Sequence, residues 1–238
     1  MNIVIGSAQA VRQSKVDRLA RVLIGSTAAL FLLVVITLWS VLYLPGYLGF
    51  RNYQPQEGDL VFQSLPHSRL VNAIEGATHS PFSHCGIVAK ENGRWVVYEA
   101  YRNVDSVPLR QFTQRGRGEA FAVYRLRPEY QPHVANTVAE VRRFRGRPYD
   151  ERYRLDDDAE AIYCSELIYL AYRAASNEEL GKLVTLGELK WQPYLELIEK
   201  LEGGPPPLDR QMITPRDLAA AEQLQRVYSY GYGRGEKN

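Results

Sequence analysis

Two cysteines and four histidines are the side chains of this 238-residue sequence best suited to covalent chemistry. Catalysis by cysteine needs a thiol, a base that ionises it and a group that orients the base. Cys164 begins the run CSELIYLAYRAA, which predicts a mostly apolar, buried helix. The first-turn N–H groups and the dipole of such a helix would lower the pKa of the thiol and could hydrogen-bond an oxyanion. An inert buried cysteine fits the same position, so position alone leaves both interpretations open.

His84 is the candidate base. It starts the strand-like run HCGIVAKE, and the run RWVVYEAY follows after an Asn-Gly pair, the strongest short signal for a β-hairpin. Glu99 lies in the second run between apolar neighbours, where a buried carboxylate is costly unless it is paired. An imidazole N–H of His84 on the neighbouring strand would be a suitable partner. A solvent-facing Glu99 on an edge strand is the alternative.

Cys85 competes with Cys164 as the nucleophile. Side chains alternate between the two faces of a strand, so Cys85 should point away from the side chain of His84 and serve as a small core residue. If Cys164 faces His84, Cys85 should therefore not converge on Cys164, and a disulfide between them would need converging Cβ vectors. The four histidines show no metal-ligand spacing, so no metal site is predicted.

The elements that must position these groups follow from hydrophobic periodicity and turn residues. The pattern predicts a strand at 60–62, a short helix within 68–80, strands at 84–91, 94–101 and 120–126, an amphipathic helix from Pro132 to Gly146, an acidic loop at 156–158, the buried helix at 164–175, a helix at 194–202 and a short helix after Pro215. A helix, then strands, then helices is the order of an α+β domain with an antiparallel sheet.

The N-terminal part does not resemble a soluble domain. Residues 22–50 carry no charge, and the 23 residues at 22–44 can cross a hydrocarbon core of about 30 Å at about 1.5 Å per residue. A cleaved signal peptide is the rival, although its apolar part is usually about 7–15 residues long. Four basic residues and one acidic residue precede the run, and the positive-inside tendency keeps such an arm in the cytoplasm.

The expected organisation is a single-pass membrane protein with an exported catalytic domain. The boundaries are a cytoplasmic basic arm at 1–21, a transmembrane helix at 22–44, a linker at 45–56 that starts where Pro45, Gly46 and Gly49 end the helix, a domain at 57–220 and a C-terminal tail at 221–238.

Overall charge disfavours nucleic acid as a partner. When the four basic and one acidic residues of the arm are removed from totals of 29 and 27, residues 51–238 keep 25 and 26, a net charge of −1. A nucleic-acid-binding domain needs a basic stripe. A cluster of six arginines (Arg142, Arg143, Arg145, Arg147, Arg152 and Arg154) is either a solvated surface or a site for phosphate headgroups or a substrate carboxylate.

Five segments together resemble the YiiX/YebB-like permuted papain-fold amidases, relatives of NlpC-type peptidoglycan peptidases and of lecithin:retinol-acyltransferase-like enzymes. They are GDLVFQS (58–64), GATHSPFSHCGIV (76–88), YEAY (98–101), PYDERYRLDDDAEAIYCSELIYLAY (148–172) and ITPRDLA (213–219). The resemblance covers about residues 57–220. The pairing of SHxGIV with a downstream YCSEL is more specific than either piece.

The resemblance implies a circularly permuted papain-like domain in which Cys164 is the nucleophile, His84 the base and Glu99 the residue that orients the imidazole. Tyr163 resembles an aromatic residue that lines the substrate pocket. Cys85 departs from the family, where valine or isoleucine is more typical.

The implied activity is that of a cofactor-free cysteine amidase or peptidase in the bacterial inner membrane, acting on cell-envelope peptide, amide or acyl-ester substrates. A lipid or lipoprotein thioesterase or acyltransferase of the same fold, and a pseudoenzyme that binds envelope ligands without turnover, are the alternatives.

Overall fold

A helix of 50 residues, α1 (Ile3–Asn52), begins the chain in a computed structural model that describes residues 3–155 and 160–232. Its part Arg21–Asn52 is long and apolar enough to cross a membrane, with a mean hydropathy of 2.4 in its most apolar stretch. The predicted helix end at Pro45 is wrong, because the helix continues through this proline to Asn52. A proline removes one backbone hydrogen bond, and here the ladder resumes beyond it. Most of the predicted linker is therefore helical.

The chain divides into two compact units, Met1–Leu48 and Gly49–Asn238. The second unit is built on a six-stranded antiparallel sheet with the strand order β4-β3-β2-β1-β5-β8. The strands are β1 (Leu60–Gln63), β2 (His84–Glu91), β3 (Arg94–Ala100), β4 (Val104–Pro108), β5 (Phe121–Leu126) and β8 (Leu224–Tyr230). The expected α+β fold with an antiparallel sheet is confirmed.

The β2–β3 hairpin forms at the predicted turn. Asn92 and Gly93 both have positive φ, 48° and 78°, as a two-residue hairpin turn requires. The register places Ile87 opposite Tyr98, which brings the strand of His84 beside the strand of Glu99.

Helices cover both faces of the sheet, and a short ribbon of two strands lies apart from it. The α-helices of this unit are α2 (Arg69–Thr78), α3 (Leu109–Arg115), α4 (Val134–Arg143), α5 (Cys164–Ser176), α6 (Leu195–Glu202) and α7 (Pro215–Ala219). The ribbon consists of β6 (Val184–Thr185) paired with β7 (Gln211–Met212). On one face, α4 and α5 share the larger core with Cys85 and Ile87. On the other face, Phe112 of α3 packs with Val88 and Val97.

Two parts of the sheet differ from the sequence-based expectation. The C-terminal tail predicted at 221–238 is wrong for its described part, because β8 pairs with β5, with Phe121 opposite Tyr230 and one register shift between Val123 and Tyr124. The rings of Tyr228 and Tyr230 pack against Phe121 in tilted arrangements, with ring centroids 5.6 Å and 6.4 Å away. The strand β4 lies in a polar stretch that no pattern identified. The predicted acidic loop at 156–158 lies outside the described residues.

Candidate active site

Cys164 is held at the N-terminus of α5. Tyr163, the residue before it, is extended, and its backbone N–H donates to the Glu166 carboxylate at 3.1 Å. The Tyr163 hydroxyl accepts a hydrogen bond from the backbone N–H of Ile213, also at 3.1 Å. These two bonds fix the residue before the thiol from opposite ends, and Cys164 itself is only 1% exposed. Tyr163 and Cys164 both line the same cleft, where Tyr163 was expected.

His84 and Glu99 meet as the sequence suggests. The imidazole Nε2 of His84 lies 2.5 Å from the Glu99 carboxylate, and the two residues are only 3% and 2% exposed. The side chain of Cys164 lies close enough to the imidazole for each group to shift the pKa of the other, upwards for His84 and downwards for Cys164. Because Nε2 faces Glu99, Nδ1 is the ring nitrogen left for the sulfur. The structure therefore brings Cys164, His84 and Glu99 into one chain of contacts.

Arg115 is a residue of this site that the sequence analysis missed. Its guanidinium lies 2.6 Å and 2.5 Å from the two carboxylate oxygens of Glu99 and sits over the ring of Tyr101 at 4.6 Å. Phe112, one turn earlier on α3, stacks on the His84 ring at 5.6 Å. The sequence analysis did not predict this helix, which has only seven residues and no side-chain cap. Tertiary packing alone places Arg115 against Glu99.

Cys85 contacts Cys164, contrary to expectation. Cys85 lies close enough to Cys164 to lower the pKa of its thiol, and both cysteines are free. Strand alternation does place Cys85 opposite His84, on the face that α5 covers. The N-terminus of α5 reaches the first residues of β2. There the thiol of Cys164 lies near Cys85 from one face of the strand and near His84 from the other. The prediction from side-chain alternation was wrong because it used only the direction in which each side chain leaves the strand. It did not include the position of the N-terminus of α5.

The contacts shift the pKa values of the three groups towards charged forms. The hydrogen bond from Cys85 is the strongest influence on the pKa of Cys164, and with the help of His84 it outweighs burial and holds that pKa well below its usual range. Burial would lower the pKa of His84, but the hydrogen bonds with Cys164 and Glu99 raise it to about 9. Burial would raise the pKa of Glu99, yet His84 and Arg115 lower it. A thiolate, an imidazolium and a carboxylate therefore coexist.

Beside the thiol opens a cleft with a cavity volume of about 120 Å³. Its walls come from α2 and α6 and its floor from the start of α5. Most lining side chains are aliphatic or aromatic. The site thus combines a thiol of lowered pKa with an apolar cleft.

Of the arginine cluster, Arg152 lines the cleft, whereas Arg142, Arg143, Arg145, Arg147 and Arg154 do not. Three of its members pair with carboxylates: Arg142 with Glu57 (3.8 Å), Arg143 with Glu140 (2.9 Å) and Arg145 with Asp105 (2.8 Å). Side chains already paired in this way favour the solvated-surface interpretation.

A thiol at a helix N-terminus beside an imidazole on an antiparallel sheet is the arrangement of papain-like cysteine enzymes, here with the histidine strand before the cysteine helix. The chain matches the family model described as permuted papain-like amidase enzyme, YaeF/YiiX, C92 family, over residues 54–228. The protein belongs to this family, as the resemblance implied.

Two relatives are similar over most of their length. The uncharacterized protein YiiX of Escherichia coli K12 is 32% identical over 181 residues, 74% of this chain and 87% of that protein. A crystal structure of YiiX from Escherichia coli O157:H7, described as a metalloprotein, has a TM-score of 0.66 at 30% identity and covers 75% of this chain and 99% of its own.

The description as a metalloprotein applies to that relative. Within residues 3–155 and 160–232 of the present chain, no group of three or more His, Cys, Asp or Glu side chains is arranged to hold a metal ion. The described residues therefore do not fit a resident metal, and no step below uses one.

Proposed function

We propose that the protein is a membrane-anchored cysteine hydrolase that forms an acyl-enzyme on Cys164. The observation that carries this proposal is the buried contact of His84 with Glu99 at 2.5 Å beside Cys164 at the start of α5, where the imidazole lowers the pKa of the thiol. A thiolate is the nucleophilic form of cysteine, and a low thiol pKa beside an imidazolium keeps it populated at neutral pH. The family, described as amidases, supports hydrolysis.

In the proposed mechanism the thiolate of Cys164 attacks the carbonyl carbon of an amide or ester. The N–H groups of the first turn of α5 lack intrahelical partners and would hold the oxyanion that forms. The imidazolium of His84 then protonates the leaving amine or alcohol as the C–N or C–O bond breaks. Water, deprotonated by His84, hydrolyses the thioester and releases the acid.

Glu99 and Arg115 act on His84 from the side of the imidazole that faces away from Cys164. The Glu99 carboxylate holds Nε2 of the imidazole, so Nδ1 faces the sulfur, in the same logic as the carboxylate of a Ser-His-Asp triad. Arg115 contacts both oxygens of that carboxylate and keeps it ionised. Arg115 is therefore a positioning residue that works through Glu99.

The anchor would set where the reaction occurs. The helix at 22–44 would cross the bacterial inner membrane with the basic arm in the cytoplasm and the catalytic domain outside. Cell-envelope peptide, amide or acyl-ester compounds would then be its substrates. A reporter enzyme that works only outside the cytoplasm, fused after residue 238, tests this topology and should be active.

The test of the reaction is a turnover assay with intact-mass analysis of the full chain in lipid nanodiscs. The wild type should release p-nitrophenol from p-nitrophenyl acetate and show a transient mass gain of one acetyl group. The activity should fall as the pH rises through about 9, because His84 loses its proton there; the apparent value belongs to the coupled Cys164–His84 pair. Binding of ester without turnover or acyl adduct would instead fit the pseudoenzyme alternative.

A further inference from the structure

Both cysteines of the chain lie in one buried cluster. The sequence has two cysteines, both are free, and both belong to the larger core of the sheet, where Cys85 is 0% and Cys164 is 1% exposed. Cys85 is the second residue of β2 and Cys164 is the first residue of α5, and α5 packs on β2. The fold therefore brings two thiols from distant segments together beside His84.

The two thiols differ in their access to small molecules. Of the residues that the structure describes, Cys164 lines the open cleft and Cys85 does not. A small water-soluble reagent that enters the cleft therefore meets the sulfur of Cys164 first. Cys85 lies behind it in the core, where Cys164 is the group through which a reaction can reach it.

The two thiols also differ in charge. Cys85 and His84 together outweigh burial and hold the pKa of Cys164 well below its usual range, whereas burial and the neighbouring Cys164 raise the pKa of Cys85 well above its usual range. The thiolate is the form of cysteine that oxidants attack. Cys164 is thus the reactive sulfur and Cys85 a protonated neighbour. Oxidation of Cys164 removes its negative charge, so Cys85 then ionises more readily.

We propose that Cys164 and Cys85 form a reversible oxidation site in which a hydroperoxide converts the nucleophile into a disulfide. The Cys164 thiolate attacks one oxygen of hydrogen peroxide and the O–O bond breaks. The imidazolium of His84 protonates the leaving hydroxide to water, and Cys164 becomes a sulfenic acid. The sulfur of Cys85 then attacks the Cys164 sulfur, the S–O bond breaks, and hydroxide leaves with the Cys85 proton as a second water. The two sulfurs together lose two electrons, and the peroxide gains them.

The disulfide would stop the reaction of Cys164 without destroying it. A sulfur bonded to Cys85 cannot attack a carbonyl carbon, and a dithiol restores both thiols by exchange. Without a neighbouring thiol, a sulfenic acid is oxidised further to sulfinic and sulfonic acids, which dithiols do not reduce. Cys85 is therefore a resolving cysteine. This role goes beyond the proposed hydrolysis and does not depend on it.

The test counts free thiols in the full chain in lipid nanodiscs. The protein is treated with hydrogen peroxide, freed of it, denatured and labelled with N-ethylmaleimide, and the adducts are counted by intact mass. The wild type should fall from two adducts to none, run as a single chain on a non-reducing gel and regain both adducts after dithiothreitol. A digest of the oxidised protein should contain the peptides of Cys85 and Cys164 joined to each other.

Three variants give the matched comparison. Cys85→Ala and the larger, apolar Cys85→Val remove the resolving thiol. At a peroxide dose that consumes their remaining thiol, Cys164 should gain two or three oxygen atoms, and dithiothreitol should restore no label. Cys164→Ala leaves Cys85 in the core without its reactive neighbour and should keep its single adduct at the dose that oxidises the wild type.

Three results would overturn the inference. The first is a wild type in which Cys164 gains oxygen while Cys85 still takes N-ethylmaleimide. The second is recovery of both Cys85 variants by dithiothreitol as complete as that of the wild type. The third is loss of the Cys85 adduct from Cys164→Ala at the wild-type rate, because the proposed order needs Cys164 to react first. Hydrolysis of p-nitrophenyl acetate is measured separately, so failure of the proposed function leaves these thiol counts unchanged.

Discussion

The two faces of the sheet near His84 differ in the charge that they bury. On the α3 face, the buried Glu99 carboxylate is compensated inside the protein by His84 and Arg115. On the α5 face, the cleft beside Cys164 is left apolar and open. In the proposed mechanism the buried charges on one side would act on the thiol, and the apolar cleft on the other side would contact the substrate. Four substitutions test this division, beginning with the largest expected effect.

Cys164→Ala removes the group where the two faces meet. We expect kcat/KM for p-nitrophenyl acetate to fall by at least about 10⁴-fold, because no nucleophile remains, and alkylation of the cleft thiol to disappear in intact-mass spectra. Cys85→Ala is the matched control and should retain the adduct. An adduct that persists in Cys164→Ala and vanishes in Cys85→Ala would assign the nucleophile to the strand.

Glu99→Gln tests the charged face. An amide in place of the carboxylate no longer stabilises the imidazolium and can turn its N–H towards the ring, so we expect kcat to fall by about 10²–10⁴-fold. The matched control is Glu91→Gln, the same change at the other end of the β-hairpin, where the carboxylate contacts the Tyr98 hydroxyl. Equal activities of the two variants would remove Glu99 from the mechanism.

Arg115→Gln tests whether the guanidinium works through Glu99. Arg115 lowers the pKa of Glu99, so without it Glu99 takes up a proton at higher pH and the acid limb of the kcat/KM profile should move upwards. At neutral pH we expect a loss of about tenfold, partly rescued in Arg115→Lys.

The control for Arg115 lies on the same helix. Arg110→Gln breaks the ion pair with Glu119 and should leave the acid limb where it is. A uniform loss of activity with an unmoved acid limb in Arg115→Gln would show a merely structural role.

Cys85→Ala should have the smallest effect. The Cys85 hydrogen bond is the largest cause that lowers the pKa of Cys164, so its removal raises that pKa and slows alkylation by a few-fold below neutral pH, with little change above it. Cys85→Ser keeps a donor and should restore part of the rate. Identical pH–rate profiles for wild type and Cys85→Ala would exclude this influence of the strand cysteine.

Much of the site could be predicted because its signals are local. The thiol before an apolar helix, the histidine at the start of a strand and the carboxylate across an Asn-Gly hairpin all follow from short stretches of sequence, and the family resemblance joined them. Arg115 and the contact of Cys85 with Cys164 could not be predicted in this way, since both depend on where a helix lies against the sheet.

The sequence by itself determined the apolar N-terminal helix, the hairpin and the buried helix that carries Cys164, because periodicity, turn residues and the absence of charge act over neighbouring residues. Only the tertiary structure decided that the C-terminal segment completes the sheet as β8, that Arg115 supports Glu99 and that α2 and α6 leave an apolar cleft beside the thiol. These features arise from contacts between residues far apart in the chain, whose free energy depends on packing that no local pattern specifies.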